Sequence, residues 1–260
     1  TALLRANAPG GREVGWRKRR IFRRSCSRKT IPDGSWGAGQ GALGALVFTA
    51  AAIGFGYFCN EWLGRPLMGI ATLGALAVFA GYSLWPLKLN YRGGGELLEM
   101  FGVGLVLPWI NAYAQGGLGV ESLTWLPRPW AILPGVCALA FASAIASGLS
   151  DEVSDRKGGK RTFTTMLGNP MARRFAELNV LLAAIFWLLA GIFSAHIPLV
   201  VAVFGALVLA YYLRKLVALS PAAVTNAFDA QRRYKDVLHR AFWNSAQWLA
   251  GLLVLHRLFF

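Results

Sequence analysis

Long runs without a charged residue are the feature that most constrains how this 260-residue chain can fold. A helix needs about 20 apolar residues to cross the hydrocarbon core of a bilayer. Asp, Glu, Lys and Arg are all absent from residues 41–60, 66–87, 100–120, 129–150, 178–213 and 241–256. The run 178–213 is long enough for two helices, and Ser194, His196 and Pro198 at its middle predict the turn between them. The sequence therefore predicts an all-α integral membrane protein with seven spans.

The basic residues support this division of the chain. The formal net charge is +15, which in a soluble protein would favour nucleic acid as the partner. Here 24 of the 27 Lys and Arg residues fall on one side of the seven predicted spans, and only Arg65, Arg128 and Arg257 fall on the other. The positive-inside rule then predicts a multi-pass protein of the inner (cytoplasmic) membrane, with its N-terminus in the cytoplasm and its C-terminus outside. We expect the lipid bilayer, and not nucleic acid, as the partner.

Two carboxylates follow the fourth predicted span. Asp151 and Asp155 are four residues apart, so on a continuing helix their Cβ atoms lie about 5–6 Å from each other. Mg²⁺ suits such a pair, because it takes one or two carboxylates and fills its other positions with water and phosphate oxygens. Gly158 and Gly159 allow a turn that returns Lys160 and Arg161 as cations for a diphosphate. The alternative is a solvated loop whose acidic residues balance its basic ones, and the ordered pattern DxxxDxxxxKRT favours the site.

Three segments carry a resemblance to a known family. Residues 151–162 resemble the second aspartate-rich motif of the UbiA-type membrane prenyltransferase superfamily. Residues 82–96 (YSLWPLKLNYRGGGE) are similar to a pattern of the 1,4-dihydroxy-2-naphthoate polyprenyltransferases in that superfamily. Residues 28–34 (RKTIPDG) resemble the segment that follows the first aspartate-rich motif. The resemblance extends from about residue 28 to the C-terminus.

The resemblance implies a UbiA-like helical bundle and a Mg²⁺-dependent transferase. Family members have nine transmembrane helices around a cavity that opens to the cytoplasm. Two aspartate-rich motifs there hold Mg²⁺ on a polyprenyl diphosphate, and the tail lies in an apolar tunnel. Departure of diphosphate leaves an allylic cation that an aromatic acceptor attacks. The motif of residues 82–96 implies quinone biosynthesis of the menaquinone type.

The family's roles are carried over by position. The resemblance makes Asp151 and Asp155 catalytic Mg²⁺ ligands, and Lys160 and Arg161 contacts of the diphosphate. Lys88 and Arg92 are predicted on the same side of the membrane, in contact with the diphosphate or the acceptor. Tyr82 is a candidate for the cavity wall or for an anchor at the membrane surface. Asn111 is a candidate for the cavity wall or for hydrogen bonding between helices.

The N-terminal region departs from the family. Seven spans are predicted where the family has nine, and upstream of Arg28 the only acidic residue is Glu13, so no first aspartate-rich motif is present. We divide the chain into a basic arm, residues 1–36, and a UbiA-like domain, residues 37–260. Residues 1–27 are interpreted as an arm for anionic lipid, as a nucleic-acid-binding segment, or, as we prefer, as a non-native stretch or the replacement of a lost N-terminal portion. The alternative function is a non-catalytic, degenerate or truncated family member that lacks half of the Mg²⁺–diphosphate site.

Overall fold

A computed structural model describes residues 37–116, 131–194 and 196–259. The basic arm, the RKTIPDG segment and residues 117–130 lie outside the described residues. The chain divides into two units, residues 1–50 and 51–260. Of the first unit only the beginning of the first helix is described, and the helix packing and the candidate site discussed below belong to the second.

The described ranges are almost entirely helical and contain no β-strand, only one isolated bridge between Arg92 and Arg161. A π-helical turn, Gly102–Val106, joins the helices Gly95–Phe101 and Leu107–Gly116. The α-helices are α1 (Ala38–Glu61), α2 (Met68–Ser83), α3 (Leu89–Arg92), α4 (Gly95–Phe101), α5 (Leu107–Gly116), α6 (Leu133–Leu149), α7 (Glu152–Lys157), α8 (Phe163–Leu167), α9 (Asn169–Phe193), α10 (Leu199–Leu219) and α11 (Phe228–Phe259).

A long helical segment occupies each of the seven predicted spans. The predicted turn at Ser194–Pro198 is confirmed, because α9 ends at Phe193 and α10 begins at Leu199 directly after Pro198. The third, fifth and seventh helical segments begin well before their charge-free runs, at Gly95, Asn169 and Phe228. A search for uncharged windows stops at the first carboxylate or cation, whereas a helix continues through such residues wherever they find a polar environment.

Length and apolar composition support a multi-pass membrane protein. Within the described residues, four helical segments are long and apolar enough to cross a bilayer, namely α1, the continuous stretch Gly95–Gln115, α9 and α10. The helices α2 and α6 are apolar but shorter, at 16 and 17 residues. Large apolar side chains such as Ile192, Phe193 and Leu207 are exposed on the second unit, as expected for surfaces that face lipid tails. These features agree with the predicted all-α membrane bundle.

The core of the second unit lies between α6, α9, α10 and α11. Trp187 of α9 is fully buried, and its indole Nε1–H donates to the carbonyl oxygen of Ile132 over 3.1 Å. Ala140, Ala142 and Ala146 of α6 are buried as well. Small side chains let helices approach closely where lipid supplies no hydrophobic drive for association. This packing fixes the end of α6, from which the segment that carries Asp151 begins.

Gly104 gives the fold its first test. A Cβ atom at this position would lie 2.6 Å from the Cα atom of Cys137 in α6. We expect Gly104→Ala to lower the free energy of unfolding by about 1–3 kcal/mol, because two backbones would have to separate. Gly74→Ala in α2 is the matched control, because a Cβ there meets nothing within 4 Å. Thermal unfolding in detergent micelles measures both variants, and equal midpoints would contradict the close approach of the two segments.

Candidate functional site

The pair Asp151 and Asp155 keeps the helical spacing predicted from the sequence. The helix α6 ends at Leu149, and Ser150 and Asp151 retain right-handed helical dihedral angles before α7 begins. The backbone N–H of Asp155 donates to the carbonyl oxygen of Asp151 over 2.8 Å. The two carboxylates therefore lie one helical turn apart, with Asp151 exposed and Asp155 half-buried.

The glycine pair after α7 turns the chain back toward Asp155. Gly159 has a φ of +66°, a conformation that favours glycine. The backbone N–H of Lys160 then donates to the Asp155 carbonyl oxygen over 2.9 Å. The Lys160 Nζ atom lies 3.4 Å from the Asp155 Oδ2 atom and 5.9 Å from the centre of the Tyr91 ring. Lys160 thus lies beside the Asp155 carboxylate, and its contact with a diphosphate stays a prediction.

The two segments that carry the motifs are joined to each other by hydrogen bonds. The backbone N–H of Arg161 donates to the Tyr91 carbonyl oxygen over 3.0 Å. The Oε1 atom of Glu96 accepts the backbone N–H of Phe163 over 2.7 Å, and Glu96 is only 8% exposed. A charge-assisted bond to a buried carboxylate is among the stronger hydrogen bonds in proteins. These two hydrogen bonds therefore hold the loop after α2 against the loop after α6.

Three consecutive glycines, Gly93 to Gly95, directly precede Glu96, and the contact with Phe163 explains why they are needed. Gly93 has a φ of +96°, where it ends α3. A Cβ atom on Gly95 would lie 2.9 Å from the Cα atom of Asn90. The glycines permit the tight turn that brings the Glu96 carboxylate within hydrogen-bonding distance of the Phe163 N–H.

Two further side chains fix the aspartate-rich segment. Thr162 caps α8, since its Oγ1 atom accepts the backbone N–H of Thr165 over 3.1 Å. Glu152 of α7 is buried and accepts hydrogen bonds from Thr225 Oγ1 at 2.9 Å and Arg156 Nη2 at 3.2 Å. This anchors α7 to the segment that precedes α11.

The two motif segments enclose a polar cavity of about 140 Å³. Four of the residues predicted from the sequence line it: Tyr82, Asp151, Asp155 and Lys160. The cavity is also lined by residues to which the sequence analysis assigns no role in the site: Asn90, Glu96, Glu99, Ala144, Ser147, Gly148 and Thr162. Four carboxylates thus surround a space with Lys160 as the cation in its wall.

The other predicted residues lie elsewhere. Lys88, Arg92 and Arg161 are exposed and do not line the polar cavity. Arg92 and Arg161 are paired in the isolated parallel bridge, and both residues are exposed. Asn111 is exposed, and its Nδ2 atom donates to the Leu107 carbonyl oxygen of its own helix over 2.8 Å.

A second, larger cavity adjoins the first. This apolar cavity of about 430 Å³ lies between α2 and the continuous segment from α4 to α5. Its lining is Ala75, Val78, Phe79, Tyr82, Leu98, Glu99, Gly102, Val103, Val106, Leu107 and Ile110. Tyr82 and Glu99 line both cavities. The two cavities therefore adjoin at these two side chains, with carboxylates around the first and mainly apolar side chains around the second.

The comparisons with known proteins agree with this arrangement. The model of the UbiA prenyltransferase family matches residues 20–246. This chain belongs to that family. No curated protein and no solved structure matches it. The matched range contains both motif segments and both cavities, and UbiA family membership makes the chain a membrane prenyltransferase in general terms.

UbiA proteins generally use Mg²⁺ to bind diphosphate, and the donor atoms at the polar cavity suit that ion. Mg²⁺ prefers hard oxygen ligands and usually takes only one or two carboxylates, leaving positions for water and phosphate. Asp151 and Asp155 supply such a pair at the wall of a cavity with four carboxylates. No group of three His, Cys, Asp or Glu residues within the described ranges is placed to hold a metal by itself. The site suits an ion shared with a phosphate ligand.

The contact between the two loops gives a second test. We expect Glu96→Ala to speed tryptic cleavage between residues 156 and 161 by about tenfold or more, because a bond to a charged acceptor contributes about 1.5–3 kcal/mol. Glu61→Ala is the control, since Glu61 is an exposed carboxylate at the end of α1. Mass spectrometry of the fragments would show the cleavage site. Equal cleavage in both variants would contradict the role of Glu96 in holding the loop.

Proposed function

We propose that this UbiA family member transfers a polyprenyl group from a polyprenyl diphosphate to an aromatic acceptor in quinone biosynthesis of the menaquinone type. The observation that carries the proposal is that a polar and an apolar cavity lie next to each other and share Tyr82 and Glu99 in their linings. A substrate with a charged head and a long apolar tail fits such a space in one orientation.

The polar cavity is proposed to hold the diphosphate. Lys160 is the cation in its wall, and its ammonium group provides up to three donors for phosphate oxygens. Arg161, Arg92 and Lys88 are exposed nearby along the chain and are proposed to attract the diphosphate from solution. Asp151 and Asp155 would hold Mg²⁺, which when bound neutralises charge on the departing diphosphate.

The apolar cavity is proposed to hold the prenyl tail. Burial of apolar groups is worth about 0.8 kcal/mol per CH₂ group, so the tail supplies much of the affinity. Phe79, Val103 and Leu107 offer an apolar wall without hydrogen-bond donors in their side chains. An apolar wall also excludes water, which would otherwise capture a prenyl cation before the aromatic ring does.

The junction between the cavities is proposed to receive the acceptor. The carbon that bears the diphosphate lies where the polar and apolar cavities meet, so the acceptor ring must approach it there. Tyr82 carries a phenolic hydroxyl at this point, and Asn90 an amide in the polar cavity. Both groups can hydrogen-bond to a hydroxylated ring and orient it.

The alternative is a family member that keeps the bundle without turnover. The observation in its favour is that no group of three metal-binding side chains is formed within the described part of the chain. Such a protein would yield no prenylated product from any acceptor, whereas the enzyme would.

The test of the proposed function is an assay in membranes with a labelled polyprenyl diphosphate and a panel of hydroxylated aromatic acceptors, including 1,4-dihydroxy-2-naphthoate. We expect Mg²⁺-dependent product, and a fall of about 10²–10³-fold in rate for Asp151→Ala and Asp155→Ala, the scale typical for loss of one group that stabilises developing charge. Asp236→Asn is the control, because Asp236 is an exposed carboxylate of α11 outside both cavities. Absence of product from the unaltered chain would support the alternative, and equal rates in all variants would remove the two aspartates from the mechanism.

The proposed orientation places the polar cavity on the cytoplasmic side of the inner membrane, because the basic loops around α7 and between α10 and α11 follow the positive-inside rule. It is tested with single cysteines at Lys157 and His196, introduced after Cys26, Cys59 and Cys137 are replaced by alanine. We expect a membrane-impermeant maleimide added to intact cells to label position 196 and to leave position 157 unlabelled until the cells are opened. The reverse pattern would contradict the proposed orientation.

A further inference from the structure

Glu99 is a carboxylate within a segment that is long and apolar enough to cross a membrane, Gly95–Gln115. Ionisable side chains at such positions are costly, and they are retained mainly where they serve a function. Glu96, the other acidic residue of this segment, has a structural partner in the backbone N–H of Phe163. Within the described residues, Glu99 forms neither a salt bridge nor a side-chain hydrogen bond.

Glu99 lies where the two cavities adjoin. The side chain is half-buried and lines both the polar and the apolar cavity. The other carboxylates of the polar cavity, Glu96, Asp151 and Asp155, do not line the apolar one. Glu99 is thus the anionic group located where a charged head and an apolar tail would meet.

We infer that Glu99 is a further catalytic residue, whose carboxylate stabilises the positive charge that develops on the allylic carbon as diphosphate departs. This inference rests on the proposed function. With the diphosphate beside Lys160 and the tail against Val103 and Leu107, the carbon that joins them lies at the junction occupied by Glu99.

The proposed step balances as follows. The bond between the allylic carbon and the diphosphate oxygen breaks, and both electrons leave with the diphosphate. The resulting allylic cation lies near the Glu99 carboxylate, which neither gives nor takes a proton in this step. A π-electron pair of the aromatic acceptor then forms the new carbon–carbon bond, and the attacked ring carbon releases its proton to water in the polar cavity.

A fixed carboxylate has opposite effects on the bound substrate and on the transition state. Before reaction it repels the diphosphate, so its removal should leave binding unchanged or make it tighter. During bond cleavage it attracts the cationic carbon, and in a water-poor site this attraction is stronger than in bulk water. Loss of a residue that acts only in binding or folding would not slow the chemical step while leaving substrate affinity unchanged or higher.

The experiment compares Glu99→Gln with Glu99→Asp in the full chain in membranes. Single-turnover prenyl transfer gives the rate of the chemical step, and the dissociation constant of an unreactive prenyl thiolodiphosphate gives binding. We expect Glu99→Gln to slow the chemical step by about 10²-fold, the scale for loss of one preorganised charge-stabilising group. The dissociation constant should stay equal or fall, and Glu99→Asp should recover part of the rate. Glu61→Gln is the control, since this exposed carboxylate lies outside both cavities.

A fluorine substituent next to the allylic centre provides a second readout, because it destabilises the cation without adding much bulk. The fluorinated substrate should react more slowly than the unsubstituted one in both proteins. We expect the ratio of the two rates to be larger in Glu99→Gln than in the unaltered chain. If the unaltered chain forms product and Glu99→Gln reacts at the same rate, the proposed function stands and the inference about Glu99 is overturned. Equal losses of rate and of analogue binding would also overturn it, since Glu99 would then belong to the diphosphate site. Absence of product from the unaltered chain would overturn the proposed function and this inference together.

Discussion

The hydrogen bond from the Phe163 N–H to the buried Glu96 carboxylate is the interaction on which the candidate site depends. It joins the loop after α2 to the loop after α6, and the Arg161–Tyr91 backbone bond reinforces it. Neither loop alone encloses a cavity. Together they place Asp151, Asp155 and Lys160 opposite Tyr82 and Glu99, with the small residues of α6 fixing the start of the aspartate-rich segment.

The proposed function divides the tasks of a prenyltransferase between two adjoining cavities. Polar groups collect where two loops meet, since backbone and side-chain donors are available there. The apolar space begins inside the bundle, where the π-helical turn Gly102–Val106 forms part of its wall. Such turns are frequent at functional sites because they widen a helix locally. UbiA family membership and the two cavities therefore point to the same kind of substrate, one with a charged head and an apolar tail.

Much of the fold followed from the sequence because charge-free runs and the Ser194–Pro198 turn are local signals. The spacing of Asp151 and Asp155 and the return of Lys160 were likewise local consequences of helix geometry and of Gly159. Glu96 belongs to the 82–96 motif but has no role assigned from the sequence, and Glu99 is missed altogether, because the third charge-free run begins only after both residues. The available signal was an acidic residue that interrupts an apolar run. The exposed positions of Lys88, Arg92 and Arg161 depend on how two distant loops pack, and no local pattern specifies that.

The central claim is that the polar and apolar cavities form one substrate site. Photolabelling with a prenyl diphosphate that carries a diazirine in its tail tests this claim most directly, with the labelled residues located by mass spectrometry. The account predicts label on α2 and on the segment from Leu98 to Ile110, reduced by excess unlabelled prenyl diphosphate. Label confined to the cavity formed by Trp187, Ile197 and Leu253, or label that excess substrate does not reduce, would contradict it.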